Sequence, residues 1–145
     1  MIVALGCDHA GYEVKEKVKV HLIQKLGYTV IDVGTNSNDS VNYPVFGHRV
    51  GKKIIIKDAE MGIVICGSGI GISIAANKIK GIRAALCTSI EHAIMSRKHN
   101  DANVLALGAR MTNYDDLINI INSWFQTDFE GGRHTIRVNE IENGR

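Results

Sequence analysis

Several things are scarce in this chain, and each scarcity closes off a class of protein. Cysteine occurs three times, at Cys7, Cys66 and Cys87. An odd number at wide spacing does not make a disulfide framework and fits reduced thiols in a cytoplasmic protein. Charge of one sign is not in excess: the formal net charge is +2, so no broad surface for nucleic acid is expected. No apolar run approaches the ~20 residues that a membrane-spanning helix needs. Met1 leads straight into Ile2, Val3 and Ala4 without a basic stretch, so no secretory leader is expected. Proline occurs once, at Pro44, and no repeat, low-complexity tract or linker breaks the pattern. What remains is 145 residues, 45% of them hydrophobic, enough for one globular domain over residues 1–145 with a real core.

Short apolar runs rich in β-branched residues alternate with longer helical patterns. Ile2–Leu5, Thr29–Val33, Gly62–Cys66, Arg83–Leu86 and Val104–Leu107 read as strands. Val14, Val18 and Leu22 recur every four residues, which gives the first connecting helix a buried face, and Phe46, Val50 and Ile54 do the same after Pro44. Gly27 stands where a helix C-terminal glycine is expected. Thr88–Glu91 resembles a capping box, and Thr112 with Asp115 and Asp116 predicts a further helix start, running to about Phe125. Five strands separated by helices predict a parallel sheet covered on both faces. With right-handed crossovers this is a Rossmann-like three-layer α/β/α sandwich carrying a C-terminal helix. Ligands of such sheets bind outside the carboxyl ends of the strands. Asp8 and His9 follow the first strand, Cys66 and a glycine loop the third, and Gly108, Ala109 and Arg110 the fifth.

The loop Gly67-Ser68-Gly69-Ile70-Gly71 leads from a strand into a helix. Such a turn can aim backbone N–H groups at an anion with the helix dipole behind them, or it can simply be tight. Two nucleotide readings fail on spacing. A dinucleotide fingerprint needs glycine where Ile72 stands and an acidic residue ending the next strand, where Leu86, Cys87 and Thr88 stand. Gly6–Gly11 has phosphate-loop spacing, but Tyr12 and Glu13 replace the required Lys-Ser/Thr. Cys66 immediately precedes the loop. A thiol is mostly protonated at neutral pH, and a helix N-terminus beside it favours the thiolate. Cys7, His9, Cys66 and Cys87 lack the close-spaced ligand pair that anchors a metal, so no metal is expected.

Near the C-terminus, Arg133 and Arg137 follow the pair Gly131 and Gly132. In a helix starting after Gly132 they share one face at i,i+4 spacing, where like charges near the positive dipole end are unfavourable. Either the helix end is a solvated basic one, or the two guanidiniums clamp an anion such as phosphate. His99 lies near the end of the fourth helix, where the negative dipole end favours its protonated form and suits it to act as an acid or to cap carbonyls.

Taken together, GCDHAGYEVK, VGT…YPVFG, ICGSGIGISIAANK, GIRAAL, SRKHNDANVLALGAR and EGGRH…RV resemble the type B ribose-5-phosphate isomerases from Ile2 to about Ile141. The wider family includes galactose-6-phosphate isomerase subunits and allose-6-phosphate isomerases. The resemblance implies interconversion of ribose 5-phosphate and ribulose 5-phosphate, a step of the pentose phosphate pathway, through a cis-enediolate and without metal or organic cofactor. It implies Cys66 as the base that moves a proton between C1 and C2; some members use Glu at the position of Ile72, and isoleucine cannot titrate. Asp8 and His99 would assist opening of the furanose ring. Backbone donors from Gly67, Ser68, Gly69, Ile70 and Gly71, with the Ser68 hydroxyl, would stabilise the oxyanion. His9, Arg110, Arg133 and Arg137 would hold the phosphate, and Tyr43 and Asn100 would contact the sugar. Family members are at least dimers with shared sites, so His99, Asn100 and Arg110 would serve the neighbouring subunit. A six-carbon aldose 6-phosphate substrate is the alternative within the family, and a non-catalytic sugar-phosphate sensor the alternative outside it.

Overall fold

In a computed structural model describing residues 1–144, five strands form one sheet: β1 (Ile2–Cys7), β2 (Thr29–Asp32), β3 (Met61–Cys66), β4 (Ala84–Leu86) and β5 (Val104–Gly108). All neighbours are parallel, in the order β2-β1-β3-β5-β4. Helices α1 (Tyr12–Gln24), α2 (Tyr43–Ile55), α3 (Ile70–Asn77), α4 (Ile90–Asn100), α5 (Tyr114–Phe125) and α6 (Arg133–Asn143) complete the chain. The sandwich expected from the alternating pattern is therefore the observed fold. No helix among the described residues is long and apolar enough to cross a membrane.

Strand side chains alternate between faces, and the core divides accordingly. Val3, Leu5, Ile63, Ile65, Leu105 and Leu107 pack with Val18 and Leu22 of α1, Ala93 of α4 and Trp124 of α5. The intervening Ala4, Val64, Cys66, Val104 and Ala106 pack with Phe46 and Val50 of α2 and Ile72 and Ala76 of α3. Two helical layers thus cover two faces, and the three central strands β1, β3 and β5 are buried on both, while the edge strands β2 and β4 are only partly covered. The sheet order reverses between β1 and β3. α1 carries the chain from β1 outward to β2, whereas α3 carries it from β3 towards β4. A crevice opens at such a switch point, beyond the carboxyl ends of the two strands.

Two helix starts lie one residue later than the sequence pattern suggests. Ser89, not Thr88, caps α4 by accepting from the His92 amide at 3.1 Å, and the Thr88 hydroxyl pairs with His92 Nδ1 at 3.2 Å. Asn113, not Thr112, caps α5 by accepting from the Asp116 amide at 2.9 Å. In both cases the capping residue has extended backbone, the geometry an N-cap requires. The first helix also departs from its pattern, because Val14 is only half-buried while Lys15 is fully buried. Lys15 Nζ reaches Asp32 Oδ2 at 2.9 Å, Glu16 Oε1 at 2.9 Å and the Thr35 carbonyl at 2.9 Å. Its partners come from β2 and the following loop, which periodicity within α1 cannot reveal.

Candidate active site

Cys66 ends β3 and is 4% exposed. The chain then turns through Gly69, whose left-handed φ of +78° disfavours any side chain. A Cβ there would also lie 2.6 Å from Leu86 Cδ1 and 2.8 Å from the Leu107 carbonyl carbon. The turn points the Gly69 amide at Cys66 Sγ, 3.2 Å away. A donor at this distance stabilises negative charge on sulfur. Ser68 Oγ accepts from the Ile70 amide at 3.2 Å, so two first-turn donors of α3 are satisfied locally. Gly69 accordingly shapes the loop, and Gly67, Ser68, Ile70 and Gly71 are the loop residues that line the cleft.

The cleft has a volume of about 600 Å³. Gly67, Ser68, Ile70 and Gly71 form one wall with Cys66. A Cβ at Gly71 would stand 2.5 Å from Tyr43 Cζ, so any side chain there would push the half-exposed Tyr43 ring aside. Gly67 differs: a Cβ there would make ordinary contacts, 3.5 Å from Arg110 Cδ and 3.7 Å from Ala10 Cβ. Its bareness widens the cleft beside the sulfur.

Asp8 and His9 enter from the end of β1. Asp8 is 5% exposed, and its Oδ1 accepts from the amides of Ala10 at 3.0 Å and Gly11 at 3.2 Å. The Val41 amide donates to His9 Nδ1 at 3.1 Å, which in the neutral ring puts the proton on Nε2. Arg110 enters from the end of β5. Adjacent backbone bonds, Ala109 N–H to the Cys66 carbonyl and Arg110 N–H to the Gly67 carbonyl, both at 2.9 Å, tie it to the glycine loop. Arg110 therefore lines the cleft of its own Cys66. Ile74 also lines the cleft. Its signal in the sequence is apolar spacing with Ile70 on a helix whose outward face stays exposed.

The remaining expected residues lie elsewhere. His99 stacks on His134 with centroids 4.3 Å apart. Asn100 borders a separate depression of about 350 Å³ together with Arg83, whose Nε donates to the Asn100 carbonyl at 3.1 Å. Arg133 and Arg137 are exposed on the first turns of α6. None of these four lines the Cys66 cleft of the same chain. Ile72, by contrast, is fully buried in the α2–α3 layer. The other thiols are chemically quiet. Burial pushes Cys7 up to about 12 and Cys87 up to about 11, so both stay protonated at neutral pH.

Comparison with known proteins gives the family and agrees with the fold. The family model described as Ribose/Galactose Isomerase matches residues 3–141. Ribose-5-phosphate isomerase B of Escherichia coli is 43% identical over 139 residues, 96% of this chain and 93% of that protein. The galactose-6-phosphate isomerase subunit LacB of Clostridium acetobutylicum is 38% identical over 130 residues, 90% of this chain and 75% of that one. The structure of Clostridium thermocellum ribose-5-phosphate isomerase B superimposes with a TM-score of 0.95 at 49% identity, covering 98% of this chain and 95% of the other. On a match that spans nearly its whole length, the chain belongs to the ribose/galactose isomerase family.

Proposed function

We propose that the protein is a ribose-5-phosphate isomerase in which Cys66 is the base. The observation that carries this reading is the Gly69 amide aimed at Cys66 Sγ at 3.2 Å, at the mouth of a cleft that also holds Asp8, His9 and Arg110. In the open sugar, Cys66 thiolate takes the C2 proton, the C–H electrons form the enediolate and charge develops on O1. The O2 hydroxyl proton passes to O1, and the proton held by Cys66 returns to C1 as C2–O2 becomes the ketone carbonyl. The backbone amides of the glycine loop and the Ser68 hydroxyl would meet the developing charge, a reading supported by Ser68 and Gly71 lining the cleft beside Cys66, and one such donor is worth about 2.7–4 kcal/mol. His9 and Arg110 hold the phosphate, so that binding energy remote from C1 and C2 positions one sulfur over both carbons. Tyr43 contacts the sugar. The route uses neither a metal nor an organic cofactor.

Within a homo-oligomer, the ring-opening acid His99, the sugar contact Asn100 and the phosphate ligands Arg133 and Arg137 come from a second copy of the sugar-phosphate isomerase domain, residues 1–145. What supports this sharing is their position outside the cleft of their own chain. The experiment is to follow solvent deuterium entering ribose 5-phosphate. The parent protein is expected to exchange and isomerise, and C66A to bind sugar phosphate without doing either; near-normal exchange by C66A would remove the assigned base. A six-carbon aldose 6-phosphate is the second reading, favoured by the 38% identity to a galactose-6-phosphate isomerase subunit. Comparing kcat/KM for ribose, allose and galactose phosphates separates the two.

A further inference from the structure

His134 lies one residue inside α6 and is 5% exposed. Its ring stacks on that of His99 at 4.3 Å between centroids and 14° between planes. The His99 side chain keeps 39% of its surface in solvent, and its Nε2 stands 4.0 Å from Glu130 Oε2. The Glu130 amide donates to the Lys98 carbonyl at 3.1 Å, which fastens the loop before α6 to the end of α4. Arg133 and Arg137 also act on His134.

One donor atom from each of His99, Glu130 and His134 lies within 4.8 Å of the others. The charges of Arg133 and Arg137, which act on His134, disfavour a cation there. Two imidazoles stacked this closely repel when both are charged. Burial, then the charges of His99 and Arg133, push His134 below the ordinary histidine range. His134 is thus the inner member of the stack, 5% exposed against the half-exposed His99 ring.

We propose that His134 is a positioning residue for ring opening, holding the His99 imidazole in place by stacking against it. This rests on the isomerase reading above, in which His99 is the acid. The step balances within the sugar: the bond between C1 and the ring oxygen breaks, that oxygen takes the His99 proton, and the C1 hydroxyl proton passes to Asp8 as the aldehyde forms. A protein that opens the ring poorly must wait for the sugar to open in solution. Two full-length variants test this: H134L keeps the buried volume but loses the flat ring, and H134F keeps the ring. With ribose 5-phosphate, H134L is expected to be slower by about tenfold, less than the roughly 10²-fold an acid itself contributes, since His99 is still present. Its rate should also stop rising with protein concentration, a plateau that partial unfolding does not produce. H134F should stay within about threefold of the parent and remain linear, since a plate and not a proton is what the stack supplies. Proton NMR adds a readout independent of turnover: the His99 Hε1 resonance, shifted by the stacked ring, should move in H134L and hold in H134F. A linear H134L with an unmoved resonance, or an H134F as defective as H134L, would overturn the proposal. If the parent itself fails to isomerise the sugar, the functional reading falls, while the resonance still decides whether the stack holds His99.

Discussion

Around Cys66 the chain closes on itself, whereas at the start of α6 it stands open. Cys66 and Asp8 are 4% and 5% exposed, the glycine loop is tied to β5 by two backbone bonds, and Lys15 braces the loop behind His9 from beneath. Arg133 and Arg137 have no such frame. Only His134 and Val138 of α6 are buried, and the far end of the helix is pinned by Glu142, which accepts from Arg83 at 2.7 Å and from the Gly81 amide at 3.1 Å. The first region is preorganised for chemistry at a fixed point. The second carries charge that a ligand or a second copy completes.

The sharpest test of this contrast is to remove the groups it ranks highest. C66A should lower kcat by roughly 10³–10⁴-fold, the scale on which a positioned base acts, while C87A leaves kcat almost unchanged. Equal losses in steady-state assays would show that the cleft thiol is not special. Next, K15M should destabilise the fold by about 3 kcal/mol in urea titrations, because it leaves Asp32 partly unpaired beside a buried apolar chain. The same network sets the acid response. Burial opposes the Asp32 charge, but hydrogen bonds from Lys19 and Lys15 outweigh it and hold this carboxyl below its usual 3.8; Lys15 and Lys19 likewise hold Glu16 below 4.5. Both folded values are depressed, so this stabilisation is present above the ordinary carboxylate range and is lost as pH falls through the lowered values. Thermal melts of the parent should therefore drop below about pH 4, and K15M should flatten that dependence.

A smaller effect is expected from the open region. R137A should raise KM about tenfold with kcat nearly retained, as loss of one charged hydrogen bond to a bound phosphate predicts. A fall in kcat alone would place Arg137 nearer the reacting carbons. Smallest in size, yet decisive for the division, is a mixing experiment. C66A and H99A, unfolded and refolded together, should recover about a quarter of parent activity if the two regions complement across a two-fold dimer. No recovery would mean that each chain completes its own site.

The sequence made the first region legible and left the second largely hidden. Strand residues such as Ile63 and Val64 alternate between two apolar layers, so their runs announce a buried parallel sheet. Asp8, Cys66 and Arg110 then follow from position, each at or just beyond the end of a strand. Arg110 was harder to assign to a chain, because its place depends on the pairing of β5 with β3, a long-range fact. Lys15 was unreadable for a similar reason, since its charge is buried only because Asp32 and Thr35 from other elements receive it. His134 sits among visible signals, two glycines and two arginines, but nothing local places its ring on His99, 35 positions earlier.

The paired backbone bonds between the glycine loop and Ala109 and Arg110 have a consequence for redesign. They act as a jig that holds the backbone of Arg110 against that of Cys66 and Gly67, so lengthening the span for the sugar's carbon skeleton at that end would mean breaking the bonds between loop and strand. Accommodating a longer aldose falls instead to the opposite rim, where Tyr43 and Ile74 belong to separate helices and can be exchanged without disturbing the sheet.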